Sequence, residues 1–230
     1  MEATPRALQQ VLQAIDNAAD AAERPSRQAT HPRLLAVSKT RPPAAIAALA
    51  AAGQRAFGEN YVQEALPKMD ALADLGLEWH LIGHLQANKA RDAAMRFDWV
   101  QSVDRPRIVE ALARHRPAGM APLDVLIQVN VDGEAGKAGC APAEVDALAR
   151  AIADAPTLRL RGLMAITEPF RDLGRRRASF RRLRELFDQL RLGHSQVDTL
   201  SMGMSEDFAL AIAEGATLVR VGTALFGARA

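Results

Sequence analysis

Short apolar runs alternate with helix-length stretches about eight times along this chain, and few folds accommodate such a rhythm. Leu34, Leu35, Ala36 and Val37 form a continuous apolar run, as expected of a parallel strand buried on both faces. The alanine-rich stretch 43–52 then reads as a helix closed by Gly53. Further strand signals lie at 56–58, 79–82, 99–100, 123–129, 158–166, 199–202 and 218–221. Helical stretches separate them at 61–73, from about 85, and at 106–115, 142–153, 172–192 and 206–213. Ahead of all these, Thr4 as N-cap, Pro5 at the first helical position and an apolar face of Leu8, Leu12, Ile15 and Ala19 predict an amphipathic helix. Two prolines within 24–32 end it. The pattern predicts an α/β fold: a single (β/α)8 TIM-type barrel with an extra N-terminal helix. It forms one domain over residues 1–230, close to the roughly 250 residues typical of such barrels. An open, doubly wound sheet is the competing arrangement. No G-x-G-x-x-G fingerprint follows the first strand, which weakens its dinucleotide-binding form.

Charge and cysteine content narrow the function. With 29 basic against 27 acidic residues the net charge is +2, so nothing global points to nucleic acid or a membrane surface. Eight arginines do crowd 171–191. Phe180, Leu183, Phe187 and Leu190 form an apolar stripe there, and the arginines fall mostly on the other face, where Arg181–Glu185 and Arg184–Asp188 can pair. That describes a solvated helix face, with a phosphate-tracking patch as the minor alternative. Cys140 is the only cysteine, which removes intramolecular disulfides and multi-cysteine metal sites. His80 and His84 have no carboxylate cluster beside them and read as packing or rim residues, not metal ligands. The first residues do not resemble a signal peptide and no run reaches membrane-spanning length, so the cytoplasm is the expected compartment.

Only four of the basic residues are lysines: Lys39, Lys68, Lys89 and Lys137. A guanidinium cannot form an imine, so a chain that uses arginine nearly everywhere directs attention to where it keeps a primary amine. In a barrel the active face lies at the C-terminal ends of the strands, and Lys39 stands just past the first. Partial desolvation there would make its amine nucleophilic towards an aldehyde. A lysine snorkelling out from a strand end is the equal alternative. Arg220 lies inside the last strand, where a buried charge needs an excellent acceptor, either a ligand or an acid such as Glu59. Ser201 to Gly203 and Gly222-Thr223 mark the ends of the last two strands, the usual phosphate site of barrels. Glycine lets backbone approach an anion closely, although plain turn chemistry also explains two isolated glycines. Glu206 and Asp207 already complement the next helix dipole, which puts any phosphate on the backbone before them. The βα loops read as short.

These residues sit in runs that resemble the pyridoxal phosphate homeostasis proteins, single-domain relatives of the alanine racemase N-terminal barrel. The matching runs are AVSKT (36–40), FGENYVQE (57–64), WHLIGHLQANK (79–89), GLM (162–164), LSMGMS (200–205) and VRVGTALFG (219–227). They follow one another nearly end to end. The resemblance implies that pyridoxal 5'-phosphate is held as an imine on Lys39, with Arg220 facing the pyridine nitrogen; a cation there would oppose protonation of that nitrogen. It implies that Ser201, Gly203, Gly222 and Thr223 hold the phosphate and that Asn60 lies near the ring, with no catalytic residue and no metal. The expected partners are the cofactor and pyridoxal-phosphate-dependent apo-enzymes, and the expected state is a monomer. The family role is non-enzymatic, in vitamin B6 balance. Racemisation wants two bases on opposite faces, and alanine racemase brings its second, a tyrosine, from another domain and subunit. Tyr61, the one tyrosine here, belongs to the same barrel. A racemase-like or aldolase-type enzyme is the alternative.

Overall fold

The computed structural model describes residues 5–22, 31–168 and 170–227. Eight parallel strands close into a barrel in chain order. They are β1 (Arg33–Val37), β2 (Ala56–Glu59), β3 (Glu78–Leu81), β4 (Trp99–Val103), β5 (Leu123–Gln128), β6 (Leu158–Met164), β7 (Thr199–Met204) and β8 (Leu218–Val221). β8 pairs back onto β1 with Leu35 opposite Arg220, which excludes the open sheet. The helices are α1 (Pro5–Ala21), α2 (Pro43–Ala51), α3 (Val62–Ala71), α4 (Ala90–Arg96), α5 (Pro106–His115), α6 (Val145–Ala153), α7 (Leu173–Gly193), α8 (Phe208–Ala213) and the short α9 (Thr223–Phe226).

Three local expectations shift. α1 packs on α8 and α9 and buries Leu8, Val11 and Ile15, leaving Leu12 exposed, so its inward stripe is turned from the predicted one. The Thr4 cap and residues 24–30 lie outside the described residues. The helix expected from about 85 begins as a 3-10 turn at Ala87–Lys89. Gly83 sits against Asn60, where a side chain would meet the Asn60 carbonyl oxygen at 2.1 Å, and this pins the chain before the helix can start. The βα loops are short except 129–141, which folds back so that Cys140 bridges to Val129.

Strand periodicity sorts the side chains into two environments. Leu34 and Ala36 pack with the helices in the main core, whereas Leu35 and Val37 point into the barrel with Ala56, Ile82 and Leu218. A second small interior cluster joins Trp99, Leu126 and Met164. Polar residues stand with these apolar groups: His80, Gln101, Ser201 and Arg220 are buried and each is the third residue of its strand.

Gly162, at a register shift of β6 against β5, lets the strands close. Its φ is +148°, and a Cβ there would lie 1.9 Å from the Thr199 carbonyl oxygen. Gly162→Ala should therefore destabilise the barrel by about 1–3 kcal/mol, the usual cost of overpacking, measurable as a lower urea midpoint with an unchanged slope.

Candidate ligand-binding site at the barrel mouth

A cavity of about 460 Å³ opens at the C-terminal ends of the strands. Five of the predicted residues line it: Lys39, Asn60, Arg220, Gly222 and Thr223. Val37, Ile82, Ile166 and Met204 give it apolar walls. A space of this size, apolar with a few convergent polar groups, suits one small aromatic ligand.

Lys39 is half-buried, one residue past Ser38 at the end of β1. The turn is closed by the Arg41 N–H on the Ser38 carbonyl at 3.0 Å. Thr40 takes φ +62°, a left-handed conformation that a β-branched residue adopts only when its surroundings enforce it. The enforcing group is Glu64, whose carboxylate accepts the Thr40 N–H. Lys68 ties the assembly together. Its ammonium donates to the Ser38 carbonyl at 3.0 Å, to both oxygens of Glu59 at 2.9 Å and to Glu64 at 2.7 Å. Ser38 donates its hydroxyl to Glu59 at 2.6 Å. Burial pushes the Glu59 carboxyl above its ordinary value, against the hydrogen bonds from Lys68 and Ser38. Both neighbours of Lys39 in the chain are thus clamped by one buried ion cluster. Sequence reading singled out Lys68 only as a scarce residue type and paired Glu59 with Arg220 as one option; Glu59 belongs to Lys68.

Arg220 is 4% exposed and has no carboxylate at ion-pair distance among the described residues. It donates to the Ser201 hydroxyl and to the Ala165 carbonyl, each at 2.7 Å. Burial drags its pKa down to about 10, and the charge of Asp207 opposes that. A guanidinium at the cavity held by neutral acceptors presents its charge to whatever binds there.

Two expected phosphate residues do not line the cavity. The Ser201 hydroxyl is fully buried, bonded to Arg220 and to Gln101 Oε1 at 2.7 Å. Gly203, at φ +89°, lets β7 close on α8, because a Cβ would stand 2.6 Å from that of Ala211. Ser205 was missed: it lines the cavity, and its hydroxyl accepts the Gly222 N–H at 3.4 Å. It is the last residue of the LSMGMS run, so a signal was present. Asp207 turns its carboxylate back to the Met204 N–H at 2.7 Å, while Glu206 is exposed at the rim. Gln128 was also missed. Its amide nitrogen donates to Ala138 of the long loop at 3.2 Å, and its Oε1 is one of two buried side-chain atoms without a partner among the described residues.

Other features fall away. A hollow of about 580 Å³ beside α7 contains Arg177, Arg181 and Arg184, but Glu214 and Asp188 already pair with them. Arg181 reaches Glu214 in place of the expected Glu185. His80 is packed inside the barrel and His84 stands at the rim, 3.5 Å from Asp104. Among the described residues no cluster could hold a metal and no helix is long and apolar enough to cross a membrane. Cys140 is buried, which pushes its thiol up to about 12.

A closed (β/α)8 barrel whose mouth combines a lysine amine, a buried arginine, Ser205 after β7 and Gly222-Thr223 after β8 defines the class of the alanine racemase N-terminal domain. The family model of that domain matches residues 11–230. Within the class, the chain belongs to the pyridoxal phosphate homeostasis protein family. It is 57% identical over 210 residues to the pyridoxal phosphate homeostasis protein of Pseudomonas aeruginosa, covering 91% of this chain and 90% of the relative. Against that of Escherichia coli K12 identity is 50% over 222 residues, 95% of each chain. PipY of Synechococcus elongatus, solved without pyridoxal phosphate, superposes with TM-score 0.85 at 39% identity, covering 97% of this chain and 99% of PipY. Its form with the cofactor bound gives 0.80 at 37% over the same shares. The D-threonine aldolase of Filomicrobium marinum shares the fold alone, at 22% identity and TM-score 0.74, over 96% of this chain and 59% of the aldolase.

Lys68→Met would strand the Glu59 carboxylate in the interior. It should cost about 3–5 kcal/mol, and Lys68→Met with Glu59→Gln should recover much of that loss in urea unfolding. Equal stability of the single variant and the parent would contradict the clamp.

Proposed function

We propose that the protein binds pyridoxal 5'-phosphate in the mouth cavity and acts in vitamin B6 homeostasis as a carrier, without turnover of its own. The observation that carries this reading is the meeting of Lys39, Arg220 and the Ser205–Gly222 loop pair on one cavity. The residues fit the cofactor's chemistry. A primary amine suits its aldehyde, the cavity-lining Gly222-Thr223 turn with the Ser205 hydroxyl, which accepts the Gly222 N–H, suits its phosphate, and apolar walls suit its ring. The unpartnered Oε1 of Gln128 leaves an acceptor beside this cavity. When bound, the cofactor supplies an aldehyde carbon that an amine can capture and a ring that can accept electrons.

In this assignment Lys39 is the covalent attachment point and Asn60 lies beside the ring. Arg220 keeps its charge against the ring nitrogen, disfavouring protonation there and making the ring a poor electron sink. The phosphate contacts expected of Ser201 and Gly203 pass to Ser205 and the Gly222-Thr223 backbone, with Ser201 holding Arg220 from beneath. The absence of turnover is supported by that cation and by the position of Tyr61, which is 65% exposed and not among the cavity-lining residues. A carrier must also release its cargo, and the half-buried Lys39 leaves the attachment point open to water or a competing amine. Pyridoxal-phosphate-dependent apo-enzymes are the proposed recipients. The eight strands close into one barrel, which supports a single-domain unit, and a monomer is part of this proposal. The Arg182–Asp132 and Arg177–Glu214 pairs support the absence of a nucleic-acid partner. A buried, unpaired thiol fits a cytoplasmic home.

Borohydride should trap the cofactor on Lys39, and Lys39→Ala should abolish the trapped adduct; an adduct surviving on another lysine sinks the assignment. Pyridoxal lacking the phosphate should bind at least about a hundredfold more weakly, because two or more charge-assisted hydrogen bonds are lost. Loaded protein mixed with excess apo-enzyme should restore activity that Lys39→Ala protein with the same total cofactor does not restore beyond free cofactor. No recovery with any apo-enzyme would remove the carrier role, and steady turnover of free amino acids would replace it with an enzyme.

A further inference from the structure

The barrel interior carries a polar chain that cofactor binding does not by itself require. Glu78 opens β3, at the end of the barrel away from the cavity, and accepts hydrogen bonds from Arg33 and from His80 Nε2, both at 2.7 Å. The His80 ring is fully buried and stacks on Trp99 with centroids 5.1 Å apart. Its Nδ1 lies 2.9 Å from the amide nitrogen of Gln101. Across the barrel, Gln101 Oε1 accepts from the Ser201 hydroxyl at 2.7 Å, and Ser201 accepts from Arg220 Nη1 at 2.7 Å. Four strands contribute: β3, β4, β7 and β8.

The direction of each bond follows from the one before. A guanidinium only donates, so the Ser201 oxygen must accept and its own proton must go to Gln101. With the Gln101 carbonyl fixed on Ser201, its amide donates to His80 Nδ1. His80 is therefore the Nε2–H tautomer and donates to Glu78. Burial drives His80 towards its neutral form, against the pull of Glu78. Burial alone would raise the Glu78 carboxyl, but the hydrogen bond from His80, with the charge and hydrogen bond of Arg33, lowers it, so Glu78 accepts as a carboxylate. The chain thus runs one way, from a cation under the cavity to a carboxylate at the opposite end.

We propose that Glu78, His80 and Gln101 are positioning residues for Arg220: a one-way hydrogen-bond relay that fixes the guanidinium under the cavity through neutral contacts, with no carboxylate touching it among the described residues. The proposal rests on the reading that Arg220 faces the ring of a bound cofactor. A carboxylate touching Arg220 would also orient it, but would cancel most of the field reaching a ligand, since the attraction falls with distance. Neutral acceptors orient without cancelling. An interior filled only with aliphatic side chains is the usual barrel solution and avoids desolvating five polar groups. The polar layer here is explained by what it does to Arg220.

The test uses the full chain loaded with ring-¹⁵N pyridoxal 5'-phosphate, together with ¹⁵N-histidine spectra. In the parent, His80 should show the Nε2–H tautomer with a bare, hydrogen-bonded Nδ1. Gln101→Glu cannot donate to Nδ1, so His80 should take a second proton and both its nitrogens should move to imidazolium positions. The new carboxylate, one hydroxyl from Arg220, should move the cofactor's ring nitrogen towards its protonated shift, in the same direction as Arg220→Glu. If Arg220→Glu moves the ring nitrogen and Gln101→Glu does not, the relay is overturned while the binding reading stands. If neither moves it, Arg220 is not at the ring and the reading fails. The His80 tautomer then decides the relay alone, and an Nδ1–H form overturns it. Should Gln101→Glu not fold, Gln101→Met breaks the relay at the same length; cofactor affinity should fall roughly tenfold, as for one lost hydrogen bond to a charged network, and unchanged affinity with an unchanged ring nitrogen overturns the relay.

Discussion

Arg220 sets the terms for the rest of the cavity. A guanidinium 4% exposed in the last strand, bonded to a hydroxyl and a carbonyl with no carboxylate at ion-pair distance among the described residues, is an expensive arrangement to bury. Its position opposite Leu35 in the β8–β1 pairing carries it inward, beneath the cavity that Lys39 borders from β1. Ser201 is then committed to it from below and does not itself line the cavity. Ser205, four residues further on, lines the cavity where the β7 loop meets the Gly222 N–H.

Lys68 is the contrasting case. It is as buried as Arg220, yet it is surrounded by Glu59, Glu64 and a carbonyl. Its charge is spent on structure: it holds Ser38 and, through Glu64, the left-handed Thr40, so the residue between them projects from a rigid turn. One cation is paired with carboxylates that fix a neighbour, and the other is held at the cavity by a hydroxyl and a carbonyl. The two buried charges differ in which acceptors the fold supplies, and a compositional count of lysines and arginines cannot distinguish them.

The barrel and most of its elements were legible because they rest on local patterns. Continuous apolar runs at β1, β5 and β8 announce strands covered on both sides, and Pro106 marks the start of α5 to the residue. The predicted turn of α1 missed because Leu12 and Val11 are equally apolar, and only its packing on α8 and α9 chooses between them. Arg181 likewise had two acids within reach, and the neighbouring helix offered Glu214. Four of the five predicted residues that line the cavity, Lys39, Asn60, Gly222 and Thr223, were legible at strand ends, and Arg220 as a charge inside a strand. Gln128 was passed over because it lies within a run read as core, and the loop that brings Ala138 to it is up to about 35 Å of chain whose path no local signal predicts.

By itself, then, the sequence determined the α/β alternation, the closure into eight units, and the placing of Lys39, Asn60, Gly222 and Thr223 at one rim, since each depends on neighbours in the chain. It also carried the motif runs that mark the family. The tertiary structure alone decided which acid each buried cation meets, which serine faces the cavity, and that His80, Gln101, Ser201 and Arg220 join into one directed chain. Those are contacts between strands up to 100 residues apart, and their energies depend on distance and burial across the closed barrel, quantities that no spacing along the chain encodes.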